Sequence, residues 1–140
     1  MVKRKAMERA LVSLGDLFRQ ALGDEADPFP WQQRLAEADL TRRVIRIPTG
    51  AGKTAGIILG WLYRRRFHPS GQVRQSTPRR LVYCLPMRVL VEQTYTNAIR
   101  WLERLGMLAG TVETANGDGR SGRIRYWPRP ELDELPDGWA

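Results

Sequence analysis

With 140 residues, 42% of them hydrophobic, the chain is long enough to bury the core of one domain and too short for two ordinary ones. Its formal charge of +8 is uneven: residues 1–40 carry 6 basic and 7 acidic groups, residues 41–104 carry 13 and 2, and residues 105–140 carry 4 and 6. No apolar run is long enough to cross a bilayer, "MVKRKAMERA" leads into an amphipathic pattern instead of a signal-peptide core, and one cysteine excludes a disulfide framework, so a cytoplasmic protein with no membrane partner is expected.

In chain order, residues 4–22 place Leu11, Leu14, Phe18 and Leu22 on one stripe at helical spacing, and "GDEADP" stops the run. This predicts a packing helix within an N-terminal segment, residues 1–28. "PFPWQQRLAEADL" reads as an extended lead-in and a second helix, with Pro30 suited to the helix start. "RRVIRIP" is the first strand signal, its β-branched Val44, Ile45 and Ile47 bounded by Pro48 and a Gly-rich turn. From Lys53 the pattern is helical through Ile57, Ile58, Trp61 and Leu62, until "RRRFHPSG" breaks it and a loop runs to about Pro78. "RRLVYCLP" supplies a second, near-continuous apolar strand of the kind buried on both faces of a parallel sheet, with Cys84 a buried structural thiol. A further helix over "RVLVEQTYTNAIRWLERLG" is expected to bury Val91, Thr94, Ala98, Leu102 and Leu105 and to end at Gly106. Strand, helix, strand, helix is the order of an α/β layered sheet. In residues 110–140 Gly, Pro and charge are spread throughout and Ile124–Trp127 offers one weak strand, so an irregular tail is expected.

The chemistry concentrates in "TGAGKT", Thr49–Thr54, which lies between the first strand and the following helix. Gly50 and Gly52 let backbone N–H groups curl around a phosphate with no Cβ in the way. The helix N-terminus adds unpaired donors, Lys53 reaches the β- and γ-phosphates as a point charge, and the Thr54 hydroxyl can hold Mg²⁺. Ile47 stands six residues before the lysine where the general pattern has Gly, so the match is to a shorter, helicase-like form. A chance match is the alternative, and the strand before and helix after argue against it.

Other stretches carry two readings each. In "FPWQ", Phe29–Gln32, the amide can pair with an adenine edge, donor to N7 and acceptor to the N6 amine. Alone, Phe29 and Trp31 read as core residues and Gln32 as a helix-start residue. "LPMRVLVEQT" puts Pro86 and Arg88 at the C-terminal end of the second strand, where open α/β sheets bind ligands, and a nucleic-acid phosphate could sit on Arg88 with Gln93 one turn on. The alternative is an ordinary strand-to-helix turn with a solvated arginine. Arg64–Arg66 reads as a solvated helix terminus, and isolated His68 carries no role. "ELDELP" resembles an acidic Mg²⁺-positioning pair, but Pro128 and Pro130 just before it are hostile to a central strand. The basic block at 41–104 favours a polyanion partner over a merely solvated face, because few acids dilute it.

"FPWQQRL", "IPTGAGKT" and "RRLVYCLPMRVLVEQT", in this order, resemble the start of a superfamily 2 helicase of the DEAD/DEAH-like kind. "LFRQALGDEADPFPWQQRLA" and "PRRLVYCLPMRVLVEQT…WLERLG" look like the helicase–nuclease of type I CRISPR systems, over residues 14–108. The resemblance implies a partial RecA-like P-loop lobe at 29–109, a three-layer αβα sheet cut before the strand that carries the acidic motif. It implies ATP and Mg²⁺ as cofactors, with Phe29 and Gln32 at adenine, Thr49, Gly50, Ala51, Gly52, Lys53 and Thr54 on the triphosphate, and Thr54 on the metal. Lys53 and Thr54 would be the catalytic members. Pro86, Arg88 and Gln93 would touch single-stranded DNA, and a CRISPR effector complex becomes a candidate partner.

In such a sheet the two recognised strands are not neighbours, and later strands lie between them. Unpaired, they would expose backbone donors and apolar surface. The expected protein is therefore an N-terminal helicase fragment that binds ATP and does not hydrolyse it alone. The change of composition near Leu108 suggests a truncated or frameshifted reading frame. Two other classes remain open: a small basic nucleic-acid-binding module with a vestigial loop, and a P-loop nucleotide kinase, which the departure at Ile47 disfavours.

Overall fold

The computed structural model describes residues 13–107, and all regular secondary structure among them is helical. Helix α1 spans Leu14–Leu22 because its first turn is capped: the Ser13 hydroxyl oxygen accepts from the Asp16 N–H at 3.1 Å, and Ser13 donates to the Asp16 carboxylate at 2.8 Å. The Ser13 hydroxyl and the Arg19 guanidinium hold the Asp16 carboxyl below its usual range. Gly23 ends the helix at φ 132°, a conformation that L side chains rarely adopt. The buried stripe is Leu14, Leu17, Phe18 and Ala21, with Leu22 partly buried. Leu11 lies outside the described residues.

Helix α2 spans Pro30–Glu37 and begins on its proline, as expected, with the Gln32 side chain accepting from the Phe29 N–H at 2.8 Å. Helix α3 spans Lys53–Leu62 and continues into a π-helical turn, Tyr63–Phe67. A short helix α4, Gly71–Ser76, stands where the sequence reads as loop, and Ser70 caps it by accepting from the Val73 N–H. Helix α5 spans Arg88–Arg104 and stops in a Schellman arrangement: Gly106, at φ 63°, donates to the Glu103 carbonyl, and Met107 donates to the Leu102 carbonyl.

The core lies between these helices. Leu17 and Phe18 of α1 meet Leu59 of α3, each at most 2% exposed, and each such burial contributes about 2 kcal/mol. Ala55, Leu62 and Tyr63 extend the same face of α3 and its π turn, so the buried stripe is rotated from the expected one, and Ile58 and Trp61 are only partly buried. On α5 the deep residues are Ala98 and Trp101, followed by Leu105, whereas Val91 and Thr94 are half-buried. The chain ends of α1 and α5 are tied by Gln20 to the Arg104 carbonyl at 3.2 Å and by Arg104 to the Ala21 carbonyl at 3.0 Å.

The two expected strands are not strands here. Residues 42–47 and 80–85 carry no ladder, and among the described residues there is no β-sheet, so the expected three-layer αβα arrangement is not seen among them. The reason is that a strand satisfies its backbone only through a neighbour about 4.8 Å away, and no such neighbour lies in the described part. Their burial nevertheless alternates with a period of two: Ile45, Ile47, Leu81, Tyr83 and Leu85 are half-buried, whereas Val44, Arg46, Val82 and Cys84 are exposed. That is the pattern of an extended chain with one covered face. Burial on both faces, and with it a buried Cys84 thiol, is therefore corrected: Val44 is 83% exposed, Val82 is 81% exposed, and Cys84 faces out beside Val82.

Arg64 also departs from expectation. It is 6% exposed, and its Nη1 donates to the carbonyls of Ala36 and Ala38 at 2.8 Å each, closing the C-terminal end of α2. Of the three arginines only Arg66 is exposed. His68, given no role from sequence, packs edge-on against Tyr63, accepts from the Ser70 N–H at its Nδ1, and faces Glu37 through Nε2 at 3.2 Å. Burial, and then the Glu37 charge, push the Tyr63 hydroxyl above its ordinary range. The weak strand at Ile124–Trp127, the irregular tail and "ELDELP" lie outside the described residues.

Candidate functional site

The loop before α3 is built by two glycines in the left-handed region. Gly50 has φ 85° and Gly52 has φ 74° and ψ 33°, and between them the Ala51 N–H donates back to the Pro48 carbonyl at 3.2 Å. Gly52 is the N-cap of α3, and its carbonyl accepts the first helical bond, from the Gly56 N–H at 2.8 Å. The N–H groups of Gly52, Lys53 and Thr54 precede that first bond and have no intrahelical acceptor. A concave turn with several N–H groups at a positive helix end attracts an anion.

Helix α2 holds this loop from behind. The Gln32 amide donates to the Gly52 carbonyl at 2.7 Å, and the Trp31 indole N–H donates to the Ala51 carbonyl at 3.1 Å. Gln32 is buried, 2% exposed, with its oxygen on the Phe29 N–H. Close approach of the two helices depends on Gly56: a Cβ there would stand 2.6 Å from the Trp31 ring and 2.9 Å from Gln32 Cγ. Phe29 is half-exposed and lies beside the loop, 3.6 Å from where a Gly52 Cβ would be.

Of the residues expected at a nucleotide, Phe29, Gln32, Ala51 and Gly52 come together in this cluster, while Thr49, Gly50 and Lys53 line the exposed side of the same loop. Thr54 is half-buried, and its hydroxyl lies 3.5 Å from that of Tyr83. Pro86, Arg88 and Gln93 are exposed at the start of α5, with Arg88 Nε on the Glu92 carboxylate at 3.0 Å. Two participants escape a reading of the sequence. Trp31 reads as core, although a buried indole N–H usually needs an acceptor. Tyr83 could have been found from the parity of its segment, which turns it inward with Leu81 and Leu85.

Beside the loop, α2 and residues 43–47 enclose an open groove of about 590 Å³. Trp31, Val44 and Ile47 give it apolar walls, Arg34, Arg43 and Arg46 bring three positive charges, and no carboxylate lines it. Such a lining favours an anion that also offers apolar surface. Among the described residues no group of three His, Cys, Asp or Glu could hold a metal, and no helix is long and apolar enough to cross a membrane.

The DEAD/DEAH box helicase family model matches residues 29–125, so its coverage starts at "FPWQ" and runs past the described residues. The match begins later and ends later than the resemblance read from sequence over 14–108. No curated protein and no solved structure matches the chain.

Proposed function

Because the chain belongs to the DEAD/DEAH box helicase family, whose members bind ATP and act on nucleic acid, we propose that its Thr49–Thr54 loop is an ATP-binding P-loop. The observation that carries this reading is the loop itself: two glycines at positive φ, directly before α3 and inside the matched segment. The free N–H groups of Gly52, Lys53 and Thr54 would take the β-phosphate, and the exposed Lys53 ammonium the γ-phosphate. Phe29 would lie against the base, while Gln32, buried and bonded to the Phe29 N–H and the Gly52 carbonyl, would hold the loop beneath it and not turn out to read adenine. Mg²⁺ fits only as an ion shared with the nucleotide, since Thr54 offers one hydroxyl and no acidic cluster accompanies it among the described residues.

Bound ATP would not be turned over by this lobe alone. Phosphoryl transfer needs a carboxylate to position Mg²⁺ and water and a cation against the γ-phosphoryl group. Among the described residues from 41 to 107 the acids are Glu92 and Glu103, both on α5, and Glu92 already pairs with Arg88. Family membership implies a RecA-like fold, with the one-faced segments 42–47 and 80–85 in strand positions. The resemblance carried by "LFRQALGDEADPFPWQQRLA" and "PRRLVYCLPMRVLVEQT…WLERLG" supports the finer reading, a cytosolic CRISPR-associated helicase with Pro86, Arg88 and Gln93 on single-stranded DNA.

Titration calorimetry of the 140-residue chain with ATP and Mg²⁺ tests the reading: binding that Lys53→Ala abolishes supports it, and equal affinity in the variant overturns it. The three-arginine groove also favours a second reading, a basic nucleic-acid-binding module with a vestigial loop. Single-stranded DNA binding that falls steeply with salt, and ignores both ATP and Lys53→Ala, would select it.

A further inference from the structure

We infer that Trp31 is a positioning residue for the triphosphate: its indole N–H, by holding the Ala51 carbonyl, aims the Gly52 N–H into the phosphate cradle. The inference rests on the P-loop reading and adds a residue to it. A peptide unit is planar and trans, so the carbonyl of one residue and the N–H of the next point in opposite directions. Fixing the Ala51 carbonyl toward α2, at 3.1 Å from Trp31 Nε1, therefore fixes the Gly52 N–H away from α2. The next peptide is fixed in the same way, because the Gly52 carbonyl is held by Gly56 at 2.8 Å and by Gln32 at 2.7 Å, which aims the Lys53 N–H.

The Gly52 peptide depends most on such a tether. Its flanking residue Gly50 is exposed, Gly52 itself has no Cβ to restrain it, and the turn uses the Ala51 N–H on Pro48, so that donor cannot replace it. Without the indole bond the Ala51–Gly52 peptide is free to rotate, and the ligand must bear the cost of ordering it. The ring itself is placed by contact: Gly56, having no Cβ, lets the Trp31 ring lie against α3. Two consecutive side chains of α2 thus hold two consecutive carbonyls of the loop, which makes the loop a preformed donor set.

The test uses the 140-residue chain and inorganic tripolyphosphate with Mg²⁺, a probe that engages the loop and not the base site. Trp31 is replaced by benzothienylalanine, which keeps the ring's shape and loses the N–H, with Trp31→Phe as a second variant and Lys53→Ala as the reference for the loop. Expected is a three- to tenfold weaker tripolyphosphate affinity in the benzothienylalanine protein, because the ligand then bears part of the cost of ordering one peptide. Its unfolding midpoint should fall by no more than the loss of one hydrogen bond lowers it, and the amide resonance of Gly52 should shift while those of α5 do not. Wild-type affinity in that protein, alongside loss in Lys53→Ala, overturns the inference and leaves the P-loop reading standing. Failure of the wild-type chain to bind, or indifference to Lys53→Ala, overturns both.

Discussion

Adding one methyl group at Gly56 measures how closely α2 lies on α3. The Cβ of Gly56→Ala would stand 2.6 Å from Trp31 Cη2, 2.9 Å from Gln32 Cγ and 3.2 Å from Gln32 Nε2, distances at which a neighbour must move. Neither neighbour is free to do so, since Trp31 is tied to Ala51 and Gln32 to Gly52 and Phe29, and Gln32 is 2% exposed. Overpacking of this kind costs about 1–3 kcal/mol, and a hydrogen bond broken by the shift adds about 1 kcal/mol. Opposing this, alanine gains about 1 kcal/mol of helix propensity over glycine. The balance is a loss of about 1–3 kcal/mol. Gly60→Ala, on the same helix, has the same propensity gain and nothing within 4 Å of its Cβ among the described residues, so it should stabilise by up to about 1 kcal/mol. Urea unfolding followed by far-ultraviolet circular dichroism compares the two. If the variants shift the midpoint in the same direction by similar amounts, the close packing of α2 on α3 is wrong.

Arg64→Met should destabilise by about 2 kcal/mol, because the Ala36 and Ala38 carbonyls lose their donor, while Arg64→Lys should recover part of the loss; chemical denaturation measures both. Ser13→Ala removes the cap of α1 and should cost about 1 kcal/mol by the same measurement. Tyr63 has its folded-state pKa raised above the unfolded value of 10.0, so its contribution is complete below that pH and is lost as pH climbs through the raised value. Tyr63→Phe should therefore flatten the alkaline limb of a stability-against-pH curve, and an unchanged limb would exclude Tyr63 as its source. Gly106→Ala forces a Cβ into φ 63° and should lower stability by about 1 kcal/mol, read from the thermal midpoint.

The amino-acid sequence by itself determined the features that depend on a few consecutive residues. Pro30 starts α2 because its missing N–H costs nothing there, Gly106 ends α5 because it accepts a left-handed conformation, and Gly50 and Gly52 shape the loop for the same steric reason. The order of "FPWQ", the glycine loop and "CLPMRV" was likewise enough to point to the helicase family. Tertiary structure alone decided which groups meet across the chain. Arg64 reads as one of three equivalent surface arginines until α2 presents it with two carbonyls. Trp31 reads as filling, until the loop twenty residues on puts a carbonyl over its indole. The apolar runs around Ile45 and Val82 carry full strand propensity, yet propensity supplies no hydrogen-bond partner. Whether such a run becomes a strand is settled by its neighbours, and here it keeps only the alternation that turns Tyr83 toward Thr54 and Cys84 to solvent.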